Sequence, residues 1–171
     1  MNTIVLLCGA NKSGKTTTLR RFFINCKERK VNRATLYERA IDGKKVYAVG
    51  FDSPQEREKF CRVDLVKANI EKRITICEEA ARGQNYVLVI PFGLRENKER
   101  TQLNKRCILE PIEWLKGRGF RVSSIYLKKT NTRRLEEKNA VMDKITQTIF
   151  LTTPHDCDKS KELEKFIIAL P

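Results

Sequence analysis

The residues best equipped for chemistry stand near the start of the chain, Gly9-Ala10-Asn11-Lys12-Ser13-Gly14-Lys15-Thr16. They fit the spacing G-x-x-x-x-G-K-[ST] at every fixed position. Glycines at the two ends of such a loop let the backbone curl, so that successive N–H groups face inward around phosphate oxygens. A helix starting at the end of the loop adds its partial positive charge to the same spot. The Lys15 ammonium would then reach the β- and γ-phosphates of ATP or GTP. The Thr16 hydroxyl would ligate Mg²⁺, and Thr17 is a further candidate, for the α-phosphate. The candidate nucleotide-binding set is therefore Gly9, Ala10, Asn11, Lys12, Ser13, Gly14, Lys15, Thr16 and Thr17.

Phosphoryl transfer also asks for a carboxylate near the magnesium or the nucleophile. The run Val46-Tyr47-Ala48-Val49-Gly50-Phe51 ends in Asp52, whereas Tyr86-Val87-Leu88-Val89-Ile90 ends in Pro91, which cannot do that work. Asp52 is thus the candidate carboxylate, either as a Mg²⁺ ligand or as the group that receives the acceptor's proton. A plainer role is also open to it, complementing the dipole of a helix that begins at Pro54.

Such residues work only if secondary structure holds them. Thr3 to Cys8 is a short apolar run of the kind buried on both faces of a sheet. Lys15 to about Lys27 carries Leu19, Phe22, Phe23 and Cys26 at helical spacing. The strand, loop and helix demanded by the phosphate site therefore follow one another in order. Ala34–Ile41 and Lys44–Phe51 flank Asp42-Gly43, a dipeptide suited to a type I′ hairpin. Ser53, Pro54 and Glu56 form a helix start, and Val63, Val66, Ile70, Ile74, Cys77 and Ala81 continue that helix to Gly83. Tyr86–Ile90 is a second buried strand. A helix with Leu103, Cys107, Ile112 and Leu115 follows, with a kink or break expected at Pro111. Phe120–Leu127 is a strand, and Asn131 caps a helix carrying Leu135, Val141, Met142 and Ile145. Thr148–Leu151 is the last strand and Asp158 opens the last helix. This alternation predicts one domain over residues 1–171. Its expected form is a three-layer α/β sandwich with a mainly parallel sheet and one antiparallel hairpin after the first helix.

Composition narrows the classes further. The chain has 171 residues, 40% hydrophobic and 33% charged, enough for a packed core. No apolar run approaches the length of a membrane span, so no membrane partner is expected. Six cysteines (8, 26, 61, 77, 107 and 157) form no C-x-x-C pair, and there is one histidine, His155. Zinc spacing is absent, and the cysteines read as reduced, buried thiols of a cytoplasmic protein. A net charge of +14 is either a lysine-rich solvated surface or a field for a polyanion such as a nucleic acid.

The motif at Gly9–Thr16, with its strand and helix, resembles that of the P-loop nucleoside-triphosphate-binding proteins. Two subfamilies share further features. Asn85–Arg100 and Ser123–Lys138 look like the polar segment and basic lid of small P-loop kinases. That resemblance implies Arg133 and Arg134, and secondarily Arg95 and Arg100, as the guanidinium groups that stabilise charge on the transferring phosphoryl group. Ile41 to Glu56 looks like the hairpin and D-x-x-G switch of small GTPases, with Thr35 as a switch threonine. Against this, Gln55 stands where that switch needs Gly, and no N-K-x-D follows a strand. Thr152-Thr153-Pro154 would be a base-side loop in either family. The expected activity is Mg²⁺-dependent binding of a nucleoside triphosphate, with phosphoryl transfer to an unknown nucleotide, polynucleotide or small-molecule acceptor. The alternatives are hydrolysis or a GTPase-like switch, and a non-enzymatic nucleic-acid-binding protein regulated by nucleotide.

Overall fold

The computed structural model describes residues 1–10, 12–54, 62–94, 106–129, 142, 146, 148–153 and 155–171. The sheet has seven strands: β1 Thr3–Gly9, β2 Lys27–Val31, β3 Ala34–Ile41, β4 Lys44–Val49, β5 Tyr86–Gly93, β6 Arg121–Lys129 and β7 Thr148–Thr152. Their spatial order is β2-β3-β4-β5-β1-β6-β7. All pairings from β4 to β7 are parallel, whereas β2-β3 and β3-β4 are antiparallel. The sheet is therefore mixed and mostly parallel, and β3 alone runs against its neighbours.

Period-two alternation sorts the core into two layers. Ile4, Leu6 and Cys8 of β1, with Leu88, Ile90 and Phe92 of β5, face helices α2 (Val63–Ala81) and α3 (Arg106–Gly117). Val5 and Leu7, with Val87, Val89, Ile125 and Leu127, face α1 (Lys15–Phe22) and α4 (Ser160–Ala169). β1 is buried along its whole length. With helices packed on both faces of the sheet, β1 has no solvated face, which is why its sequence is a continuous apolar run. Each fully buried Leu or Ile there stabilises the fold by roughly 1.5–3 kcal/mol.

Several elements differ from expectation. The first helix stops at Phe22, short of Lys27, because the backbone turns at Phe23 and Asn25 enters the left-handed region (φ 57°). The residues beyond Cys26 form β2, an edge strand exposed from Lys27 to Lys30. Its exposure removes the apolar alternation by which strands are recognised. A second hairpin turn, Asn32-Arg33 with φ of 47° and 67°, joins it to β3, while Asp42-Gly43 (48° and 72°) makes the expected one. α2 starts at Val63 behind Arg62, so Ser53 is not its cap. β5 continues through Pro91 to Gly93. Its ladder to β4 covers only Tyr86–Leu88, so the missing N–H of Pro91 falls where that ladder has ended. α3 runs unbroken through Pro111, whose missing N–H removes one intrahelical bond from the middle of the helix. α4 begins at Ser160, behind Asp158, whose Oδ1 accepts from the Ser160 N–H at 3.0 Å. Cys107 is held in a disulfide, against the expectation of reduced thiols. With no closely spaced cysteine pair in the sequence, only the fold could bring partners within bonding range. Cys8, Cys26, Cys77 and Cys157 are free. Among the described residues no helix is long and apolar enough to cross a membrane. The helix expected after Asn131 lies outside the described residues, apart from buried Met142.

Candidate phosphate loop and the cavity beside it

The chain enters the sheet at its middle. β1 is flanked by β5, reached by connections on one side, and by β6, reached on the other. The carboxyl end of β1 is therefore the switch point at which open parallel sheets form their ligand crevice. Gly9 ends β1 there, in register with Gly93 and Leu127.

From Gly9 the backbone folds back tightly. A Cβ on Gly9 would lie 2.1 Å from Ser13 Oγ, so a larger residue there would displace the Ser13 hydroxyl. The Ser13 N–H donates to the Ala10 carbonyl at 3.2 Å, and Lys12 takes a left-handed φ of 57°. Gly14, with φ 94°, is the residue before α1, and a Cβ there would meet the Cys157 carbonyl at 2.2 Å. The helix opens without a side-chain cap and without an acidic residue in its first turn, which leaves its positive end open to an anion. Lys15 Nζ donates to the carbonyls of Gly9 (2.7 Å) and Ala10 (2.8 Å), so the ammonium curls back over the loop. Ser13 Oγ is buried without a hydrogen-bond partner. Thr16 is half-buried and Thr17 exposed in the first helical turn, and Asn11 lies outside the described residues. Beneath the loop, burial raises the Cys8 thiol to about 12, opposed by the nearby Lys15 charge. Cys8 is accordingly packing, not a nucleophile.

Thr18 has a role that its position in the motif does not announce. Its hydroxyl donates to the Cys157 carbonyl (3.3 Å) and accepts from the Lys159 N–H (3.1 Å). This ties the segment after β7 to the first turn of α1. That segment is itself closed by reciprocal backbone bonds between Thr153 and Asp156 (3.1 and 3.2 Å) and by the Lys159–Asp156 ion pair. Pro154 of the expected base-side loop lies outside the described residues.

Asp52 stands elsewhere on the same edge. β5 intervenes between β1 and β4, which sets those two strands about 10 Å apart across the sheet. Its position is fixed from three sides. The Gly50 N–H (φ 65°) donates to the Thr35 carbonyl at 2.9 Å. Phe51 stacks on Tyr37 with ring centroids 4.2 Å apart. The Asp52 carbonyl accepts from Arg73 Nη2 at 2.7 Å. Thr35 lies in β3, where its hydroxyl accepts from Lys30, remote from the loop. Asp52 borders a cavity of about 790 Å³ between the β2–β3 turn, the end of β4 and α2. Arg33, Lys72, Arg73, Asn69 and Ser53 also line it. These residues were not expected from the sequence. The signal for Arg73 was present: it shares the buried stripe of Ile70, Ile74 and Cys77, where a charge is out of place. Arg95, Arg100, Arg133 and Arg134 lie outside the described residues. No protein-family model matches the chain, and no curated protein matches its sequence.

Proposed function

We propose that the chain is a P-loop-type nucleoside-triphosphate-binding protein that moves the γ-phosphoryl group of ATP to an acceptor, with Mg²⁺ as its metal. One observation carries this reading: a buried central strand runs through Gly9–Gly14 into an uncapped helix, with the Lys15 ammonium folded over the loop. The residues fit the ligand. Ser13 Oγ is buried with no partner, and Gly9 and Gly14 permit a curl that a side chain at either would disturb. Thr16 and the nucleotide's own phosphates would hold the magnesium, which supplies charge neutralisation between the β- and γ-oxygens.

In the proposed reaction the acceptor's hydroxyl oxygen bonds to the γ-phosphorus and the bond to the β–γ bridging oxygen breaks. ADP leaves, and the hydroxyl proton passes to the Asp52 carboxylate. With β5 between them, the lines of β1 and β4 lie two strand spacings (about 10 Å) apart, which sets Asp52 to one side of the loop, on the side assigned to the acceptor. On the sequence resemblance, Arg133 and Arg134 are assigned to charge on the moving group.

The test is incubation with γ-labelled ATP and GTP, with and without candidate acceptors. Label should move only when an acceptor is present. Steady phosphate release without one would replace transferase by hydrolase, and tight Mg²⁺-dependent binding without turnover would replace both by a switch. Lys15→Ala should abolish nucleotide binding while circular dichroism stays unchanged, and retained binding would defeat the loop assignment.

A further inference from the structure

The cavity beside Asp52 has the makings of a second binding site. Its volume, about 790 Å³, lies in the range of sites that enclose small organic ligands. Among the described residues its walls carry three cations, Arg33, Lys72 and Arg73, and one carboxylate, Asp52. The Ser53 hydroxyl lines it, 5% exposed and without a hydrogen-bond partner. A buried orphan hydroxyl costs free energy unless something bonds to it. Arg73, 8% exposed, is anchored to Asn69 Oδ1 at 2.9 Å and to the Asp52 carbonyl, so one cation is fixed in the wall. Arg33 reaches the cavity from a hairpin position with φ 67°, where glycine would be the unstrained choice.

We infer that this cavity is the acceptor site, and that the acceptor is a phosphorylated hydroxyl compound of nucleotide size. Its phosphate lies among Arg33, Lys72 and Arg73, and its hydroxyl lies at Asp52. The acceptor role rests on the phosphotransferase reading above. The chemistry is shared by a free mononucleotide and by the end of a nucleic-acid strand. The adjoining edge strand, with exposed Lys27, Arg29 and Lys30, continues the basic surface outward from the cavity.

The experiment measures binding of two probes, thymidine 3′-monophosphate and a short single-stranded DNA with a 5′-hydroxyl and internal phosphates. Both are titrated into the full chain carrying Mg²⁺ and a non-hydrolysable ATP analogue. The double variant Arg33→Ala/Lys72→Ala removes two exposed cations. Ala68→Trp, at an exposed lining position of α2, fills the space without changing charge. Each should weaken probe binding at least about tenfold, with binding of the ATP analogue retained. Stronger binding of the DNA would assign the strand end, and equal binding would assign the mononucleotide; either supports the site. Absence of probe binding by the wild-type chain, or affinities in both variants within twofold of it, would overturn the cavity while leaving nucleotide binding at the loop intact. Failure of the wild-type chain to bind the ATP analogue would instead overturn the loop assignment, and the acceptor role with it.

Discussion

At the scale of single residues the loop is a problem of space before it is one of charge. Gly14 combines φ 94° with a carbonyl 2.2 Å from where its Cβ would be. Gly14→Ala should lower stability by about 1–3 kcal/mol and depress nucleotide affinity, read by thermal melts and by titration of an ATP analogue. Thr18→Val keeps the shape but strands the buried Lys159 N–H. The expected cost is about 1–3 kcal/mol, with a drop in Tm and faster amide exchange at Lys159. Cys8 gives a pH dependence with a definite sign. Its thiol is raised from 9.0 to about 12, so the unfolded chain loses that proton first. The stability it contributes is complete below about pH 9 and falls as pH rises toward 12. Cys8→Ala should flatten the fall in Tm between pH 9 and 11, and an unchanged slope would remove Cys8 from the account.

Elements differ in how openly the sequence declares them. β1 and β5 carry continuous apolar runs because both of their faces are covered, and these could be read directly; β6 was read through the shorter run Ile125–Leu127. The β3–β4 hairpin was legible through Asp42-Gly43, whose backbone demands few residues can meet. β2 was not legible, since an edge strand of Lys27, Glu28, Arg29 and Lys30 owes its state to the β3 ladder and not to burial. The tight turn from Gly9 to Gly14 could be read because its glycines and spacing are local. The Asp52 cavity could not, because its walls come from a hairpin turn, a strand end and a helix that only the fold brings together. The same hairpin yields a test that separates folding from binding. Arg33→Gly relieves a left-handed φ and deletes a cavity cation. Tm should hold or rise, by the equivalent of up to about 1 kcal/mol, while thymidine 3′-monophosphate binding weakens.

Over the whole molecule, a net charge of +14 makes association with anions sensitive to ionic strength. Raising salt from 50 to 500 mM should slow association of single-stranded DNA more steeply than that of the mononucleotide, as stopped-flow measurement would show. The layer of α1 and α4 is also joined to the sheet by polar ties. Arg39 of β3 bonds both the Phe22 carbonyl (2.6 Å) and Glu164 of α4 (2.9 Å), and Lys44 bonds the Ile168 carbonyl (2.8 Å). The central place of β1 bears on biosynthesis. During synthesis β1 has both edges open until the residues of β5 are made and one open until those of β6 are made, and Thr18 must wait for Cys157 and Lys159, 139 and 141 residues further along. A nascent chain therefore carries Gly9–Thr16 long before the contacts that brace this loop exist, and those contacts form only once the segment after β7 has been made.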